Sequence, residues 1–480
     1  MSVFTDLVFE AGLVARSLGD YFSGGRLRLG VTGLSRSGKT VFLTALVNNL
    51  IAGARLPVLA ASAEGRITRA RLEPQPDDAV PRFAYEEHLA SLGGPDRRWP
   101  QSTRRISQLR LTIEFESASG WGSKPSSLAI DLVDYPGEWL LDLPLLDKSY
   151  ATWARETLNA SETPARAPLS ADWRAALGGL DAHAKADEDT ARDIAERFTA
   201  YLRKARDDVY ALSTLPPGRF LMPGDLEGSP ALTFAPIPLG EGDAIASGTL
   251  AAMMERRYEA YKSHVVKPFF RDHFARLDRQ IVLVDALTAL NSGPAALADL
   301  ENALSEVLRA FRAGRSSRFA SIFRPRIDRI LFAAAKADHL HHTSHDRLEA
   351  ILRALTAKAI ARAEGVGATI DVIALAAIRA TREAEIRHGG ETLPAIIGVP
   401  EKGEKIGGQL FDGVAEAAVF PGELPADPMA IFKGDGIALA ESDNDWRFVR
   451  FRPPLTAPGQ PAPQIRLDRA LQFLFGDRLA

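Results

Sequence analysis

The 480-residue chain contains no cysteine. That excludes disulfides, thiolate zinc sites and cysteine nucleophiles, and it fits a reducing compartment, so the expected address is the cytoplasm. An excess of either charge is also missing: 58 Lys and Arg stand against 61 Asp and Glu, a net charge of −3. Nothing in that balance attracts nucleic acid, and no nucleic-acid partner is expected. No window approaches the ~18–20 consecutive apolar residues of a spanning helix. Charges recur throughout, so any contact with the inner membrane would be peripheral, through a partner or a surface. Residues 1–25 carry Val3, Phe4, Leu7, Val8, Val14, Leu18 and Tyr21 at roughly helical spacing, but Asp6 and Glu10 interrupt them and no basic segment precedes. An N-terminal helix is expected there, not a signal peptide.

What is present is a large apolar fraction, 46%, enough at roughly 100–200 residues per domain for two to four domains. Residues 26–31 alternate and run into Thr32-Gly33, and residues 39–50 read as a helix, giving strand, Gly-rich turn and helix. Residues 107–115 and 127–133 read as an antiparallel hairpin. Three further apolar strands, 280–284, 327–335 and 369–377, are separated by helical patterns at 294–311 and 346–363, the alternation of a doubly wound sheet. Residues 139–278 are different: helical patterning at 187–211 and 250–277 flanks a Pro/Gly loop at 216–238. The tail from 388 mixes Gly and Pro with a strand candidate at 446–451 and closes on an amphipathic helix at 465–474.

Gly33-Leu34-Ser35-Arg36-Ser37-Gly38-Lys39-Thr40 matches the phosphate-loop pattern, in which glycines let successive backbone N–H groups curl around a phosphate at a helix N-terminus. Ser35, Arg36, Ser37, Gly38 and Val41 would line the phosphates. Lys39 would reach the β- and γ-phosphates, and Thr40 would place its hydroxyl on Mg²⁺. Asp134-Tyr135-Pro136-Gly137 ends the second hairpin strand: Asp134 would serve the Mg²⁺ shell and Gly137 would sense the γ-phosphate. An ordinary strand-end turn is the competing reading. Asp131, in the same strand, is expected to face away from the nucleotide. Thr103, in the loop before the hairpin, is the candidate first-switch threonine closing on Mg²⁺, against a plain polar loop. Glu138 occupies the position where many small GTPases carry a water-orienting glutamine; it is a substitute for it or a surface carboxylate without catalytic duty.

Ala335-Lys336-Ala337-Asp338 follows an apolar strand, and here the base is chosen. A carboxylate accepts both the ring N–H and the exocyclic amine of guanine, a pair adenine does not offer, while the Lys336 stem packs along the base. Asp338 is therefore the guanine selector, with His339 beside it. Ala335 lacks the polar group that the usual Asn or Thr supplies to brace the loop. Ala377 and Ile378, after the last sheet strand, fall where a backbone N–H would meet the guanine oxygen. His339, His341, His342 and His345 invite a metal reading, but no fitting Asp or Cys framework stands beside them in sequence, and a polar helix start explains them. Arg309, Arg312, Arg315, Arg318, Arg324, Arg326 and Arg329 form either a solvated face or a docking surface for an anionic lipid or protein.

The strings GLSRSGKTVFLTALV, DYPGEWLLDLPLL, GRFLMPGDLEG, VKPFFRDHFARLDRQIVLVDALTALNSG, KADHLHHTSHDRLEAIL and IRATRE resemble the YcjX-like family of bacterial P-loop proteins, over most of residues 33–383. The resemblance implies a cytoplasmic GTPase-like protein linked to envelope stress, with GTP or GDP and Mg²⁺ as ligands and a membrane-associated protein as partner. The expected architecture is a GTPase-type P-loop α/β sheet (26–138 and 279–386) with a helical insertion (139–278) and a smaller α+β region (387–480). Three functions stay open: a regulatory or mechanochemical GTPase of slow intrinsic rate, an ATPase of the same fold, and a nucleotide-binding scaffold that hydrolyses little.

Overall fold

A computed structural model describes residues 25–33, 37–75, 77–101, 103, 105–118, 124–207, 210–240, 245–310, 327–365, 367–388, 390–406, 408–432, 448–457 and 459–480. The helix expected at 1–25, apart from Gly25, the loop residues Ser35 and Arg36, and most of the arginine run lie outside the described residues.

Seven strands form one sheet: β1 (Arg26–Gly33), β2 (Ile67–Glu73), β3 (Ser107–Ser117), β4 (Lys124–Asp134), β5 (Arg279–Val284), β6 (Arg329–Ala334) and β7 (Thr369–Ala374), in the order β2-β3-β4-β1-β5-β6-β7. The five from β4 to β7 in that order run parallel, and β3–β4 is the antiparallel hairpin, paired from Ser107↔Asp134 to Ser117↔Lys124. This is the doubly wound, GTPase-type α/β sheet expected from the sequence. Central strands read as unbroken apolar runs because both faces are covered, and every residue of β5 is buried. The sequence reading missed β2. Its segment ITRARLE buries only Ala70 fully, as suits an edge strand blunted by charge. β7 stops at Ala374 and not at Ala377, because Ala376 pairs instead with Ile465 from the C-terminal segment.

The described residues fall into two compact units: those within Met1–Tyr135, Leu277–Pro294 and Ser317–Ala480, and those within Pro136–Arg276 and Ala295–Ser316. In the first, the helix Lys39–Ile51 packs Phe42, Leu46 and Leu50 on Leu27, Leu29 and Val31 of β1. The C-terminal helix Leu467–Phe475 enters the same core through Leu467, Leu471 and Leu474. It is locked there by Arg279, whose wholly buried guanidinium meets Asp477 at 2.5 Å and Asp328 at 3.1 Å. A three-stranded sheet of Arg382–His388, Glu391–Gly398 and Ala417–Val419 closes on Ile396, Val419, Val449 and Phe451.

The second unit is helical, with an aromatic interior. Trp153 stacks on Tyr258 with ring centroids 5.0 Å apart, and Trp173 on Tyr201 at 5.7 Å. Its helices start on side-chain caps legible in the sequence: Ser149, Asp187 and Thr249 accept from the N–H groups of Thr152, Thr190 and Ala252. The pattern at 250–277 is not one regular helix. After Leu250–Tyr261 the chain opens into a π turn, Lys262–Val266, before Pro268, whose missing N–H and ring bulk are incompatible with a regular helix interior.

Candidate nucleotide site

Parallel strands bring their carboxyl ends to one edge of the sheet, where doubly wound folds bind ligands. Gly33, Asp134, Val284, Ala334 and Ala374 all end there. Gly33 is required by space: a Cβ would lie 2.5 Å from the Leu283 carbonyl oxygen and 2.2 Å from Ser37 Oγ. Gly38 is required by conformation, with φ +84° at the N-cap of the helix Lys39–Ile51. That helix has no side-chain cap bond and no acid in its first turn, so its leading N–H groups and the positive dipole end favour an anion. Ser37 is buried and its hydroxyl has no hydrogen-bond partner among the described residues, while Val41 packs at the margin of the core. Lys39 Nζ donates to the Gly33 carbonyl at 2.8 Å.

Beside the loop, three oxygens line up. Thr103 Oγ1 donates to Asp134 Oδ2 at 2.7 Å and lies 3.1 Å from Thr40 Oγ1. Asp134 is 1% exposed, and its Oδ1 has no hydrogen-bond partner among the described residues. Burial pushes its carboxyl up to about 6, against the Thr103 hydrogen bond and the Lys39 charge, which favour ionisation. An orphaned carboxylate oxygen with two adjacent hydroxyls fits a hard divalent cation such as Mg²⁺, which takes oxygen ligands. Asp131 is turned to other work: Arg26 and Arg110, on the neighbouring strands, each bind its wholly buried carboxylate at 2.6 Å. Tyr135, also buried, accepts from Gln280 Nε2 at 3.3 Å, and the same amide donates to Thr32 Oγ1 at 3.1 Å.

Lys336 adopts φ +62°, a left-handed conformation, so the loop after β6 turns sharply toward Asp338. Its Nζ meets Asp285 Oδ2 at 2.5 Å. Burial raises the Asp285 carboxyl but is outweighed by Lys336 and the Thr288 bonds, which hold it below the ordinary value. Asp285 was not singled out from the sequence. Lying at the end of β5, it supplies from the neighbouring strand a polar brace of the kind that Ala335 lacks, and its signal was the helix cap it makes to Thr288 in the string DALT. Asp338 is 4% exposed; its Oδ2 accepts from Ala380 N–H at 2.8 Å, and its carbonyl accepts from Thr381 Oγ1 at 2.5 Å. Ala377 is half-buried and Ile378 is buried, just past the pairing of Ala376 with Ile465.

His339 is buried against the Phe451 ring, centroids 5.7 Å apart, and burial lowers its pKa. Phe451 also accepts at its carbonyl from Trp99 Nε1 at 2.6 Å, so one C-terminal residue touches both the base loop and the stem of the Thr103 loop. No local pattern in the sequence announces that role. Arg329, last of the arginine run, is spent internally, donating to the Phe473 carbonyl at 2.6 Å and facing Asp477 at 3.4 Å.

The chain passes into the second unit between Tyr135 and Pro136, so Gly137 and Glu138 are described with that unit. They open a run of 3₁₀ turns, Gly137–Asp147. Glu138 is not a surface carboxylate: it is 4% exposed and faces Arg206 at 3.4 Å. A Cβ on Gly218 would sit 1.8 Å from the Glu138 carbonyl oxygen, so only glycine allows this approach. The Arg219 guanidinium lies 3.2 Å from the Trp139 ring centroid.

Among the described residues, no helix is long and apolar enough to cross a membrane. The chain is 42% identical over 465 residues to the Ras-like GTPase YcjX of Escherichia coli strain K12, covering 94% of this chain and 96% of that protein. It is 35% identical over 483 residues to the Ras-like GTPase YcjX of Shewanella oneidensis, covering 94% of each. The model of the YcjX-like family, DUF463, matches residues 27–479. With that match spanning nearly the whole chain, and two relatives aligned over 94% of it, the chain belongs to the YcjX-like family.

Proposed function

We propose that this chain binds GTP with Mg²⁺ and hydrolyses it slowly. The observation that carries the reading is the chain of oxygens Thr40, Thr103 and Asp134 beside an uncapped helix N-terminus. Thr40 and Asp134 would hold the ion, and Thr103 would join when the γ-phosphate is present. Mg²⁺ supplies positive charge against the charge developing on the phosphates. Lys39 and the N–H groups of the loop bind and orient the triphosphate. Asp338 reads guanine: each carboxylate oxygen has two acceptor sites, so the Ala380 bond leaves capacity for both guanine N–H groups. The ion pair of Lys336 with Asp285 supports this choice over ATP, because it braces the loop despite Ala335. Both relatives are named as Ras-like GTPases, which points the same way.

A second reading, a nucleotide-binding scaffold with little hydrolysis, is favoured by Glu138, which is buried and paired with Arg206. Equilibrium binding of labelled GTP and ATP with Mg²⁺, followed by phosphate release over hours, separates them. Tighter GTP binding with slow release is expected. Preference for ATP overturns the base assignment, and GTP binding without release leaves the scaffold. A regulatory or mechanochemical role, linked to stress and exercised through the helical unit, is proposed from covalent continuity: Gly137–Asp147 follows Asp134–Tyr135 after the single residue Pro136. Amide exchange across Gly137–Asp147 should be slower with a non-hydrolysable GTP analogue than with GDP, and identical protection would make this unit a passive scaffold.

A further inference from the structure

His341 and His342 follow the base-reading loop, and the partner that sequence spacing did not reveal comes from β-structure far along the chain. Glu383, in the strand Arg382–His388, places Oε2 2.8 Å from His342 Nδ1. The His341 and His342 rings lie 4.3 Å apart, and one ligand atom from each of the three residues falls within 4.8 Å of the others. His339 and His345 belong elsewhere: the first packs on Phe451 and the second bonds the Ala337 carbonyl at 2.9 Å.

We propose that His341, His342 and Glu383 form a site for a borderline-soft divalent metal, of the zinc or nickel class, which ties together the two chain segments that hold Asp338. Two imidazoles and a carboxylate suit such ions and not Mg²⁺, which prefers oxygen alone. Metal–ligand bonds of about 2.0–2.1 Å at a tetrahedral angle separate ligand atoms by about 3.3 Å, so the 2.8 Å contact needs to open by only about half an ångström. His341 Nδ1 bonds Thr343 Oγ1 at 3.0 Å, a contact that would have to be released if Nδ1 and not Nε2 took the metal. Arg379 approaches the other Glu383 oxygen, at 3.5 Å from Oε1, and leaves Oε2 to the histidines. Exposure of His342 and Glu383 leaves the remaining coordination positions to water.

The location gives the site its consequence. His341 is three residues past Asp338 and Glu383 two past Thr381, and it is Ala380 and Thr381 that bond the Asp338 carboxylate and carbonyl. A metal bridging them makes opening of the base-reading loop more costly and slows nucleotide release. This consequence, though not the metal site itself, rests on the guanine reading above. The test uses untagged full-length protein titrated with Zn²⁺ in the absence of nucleotide, followed by GDP release with and without Zn²⁺ at fixed Mg²⁺. One Zn²⁺ per chain is expected, weakened by about tenfold or more in both His342→Ala and Glu383→Gln, with Zn²⁺ slowing GDP release severalfold in the parent protein alone. No Zn²⁺ uptake, or equal uptake by both variants, overturns the site. Uptake without any change in GDP release overturns the coupling. Uptake lost in the variants by a protein that fails to bind guanine nucleotides upholds the metal site and removes the guanine reading instead.

Discussion

Asp134 and Asp142 are close in sequence, both buried and both pushed up to about 6 by burial, yet their hydrogen bonding differs. Asp142, in the helical unit, is satisfied: Oδ1 accepts from Gly218 N–H at 2.7 Å and Oδ2 from Tyr261 Oη at 2.7 Å. Asp134, at the end of β4, keeps one buried oxygen without a hydrogen-bond partner among the described residues. A shifted pKa alone does not tell the two apart; the count of satisfied acceptors does. The helical unit has bonded its buried polar atoms around Asp142 to one another, while the sheet edge keeps Asp134 Oδ1 and the Ser37 hydroxyl without a hydrogen-bond partner among the described residues.

The largest effect should come from Lys39→Ala. The proposed role of the lysine is to meet ligand charge, and in this structure its Nζ donates to the Gly33 carbonyl at 2.8 Å. Triphosphate affinity should fall by about a thousandfold with the thermal midpoint unchanged; calorimetry that finds undiminished binding removes the phosphate-loop assignment. Next, Asp142→Ala leaves a buried hydroxyl and a buried N–H without an acceptor and should cost about 3 kcal/mol in denaturant unfolding. Asp134→Asn should leave stability unchanged or higher, because a desolvated charge is removed, and should abolish the Mg²⁺-dependent part of nucleotide binding. Equal stability losses for the two variants would break the contrast.

The pH dependence sharpens it. Asp142 holds its proton more tightly folded, at about 6 against an ordinary 3.8, with Tyr261 and Arg219 as its charged or polar neighbours. The folded state therefore binds more protons between about pH 4 and 6, so stability falls as pH rises through that window and levels off above it. Relative to Asp142→Asn, the parent protein should lose on the order of 2 kcal/mol across the window. Parallel pH profiles in urea unfolding would show that this carboxyl does not titrate as argued. The smallest effect is expected at the base loop: Asp338→Asn should weaken GTP about tenfold and favour xanthosine triphosphate, whose extra carbonyl accepts from the amide. An unchanged GTP to ATP ratio would place base choice elsewhere.

The central strands and the glycines around Lys39 were legible in the sequence because each rests on short-range chemistry. An apolar run favours burial and a left-handed turn favours glycine, so β5, β6 and Gly38 announce themselves within a few residues. The helix starts of the helical unit rest on the same short range, as the caps Ser149, Asp187 and Thr249 show. The edge strand β2 escaped because an exposed strand carries charge where a central one carries apolar side chains. Beyond that, only the tertiary structure decided which groups meet. Asp285 reaches Lys336 because β5 and β6 are neighbours, Phe451 joins Trp99 to His339 from the far end of the chain, and Glu383 comes to His342 across 41 residues. Sequence spacing fixes what lies within one turn or one strand of a residue. Partners brought by sheet pairing and by the return of the C-terminal helix to the core are set by the packing of the whole unit, which no single window of sequence contains.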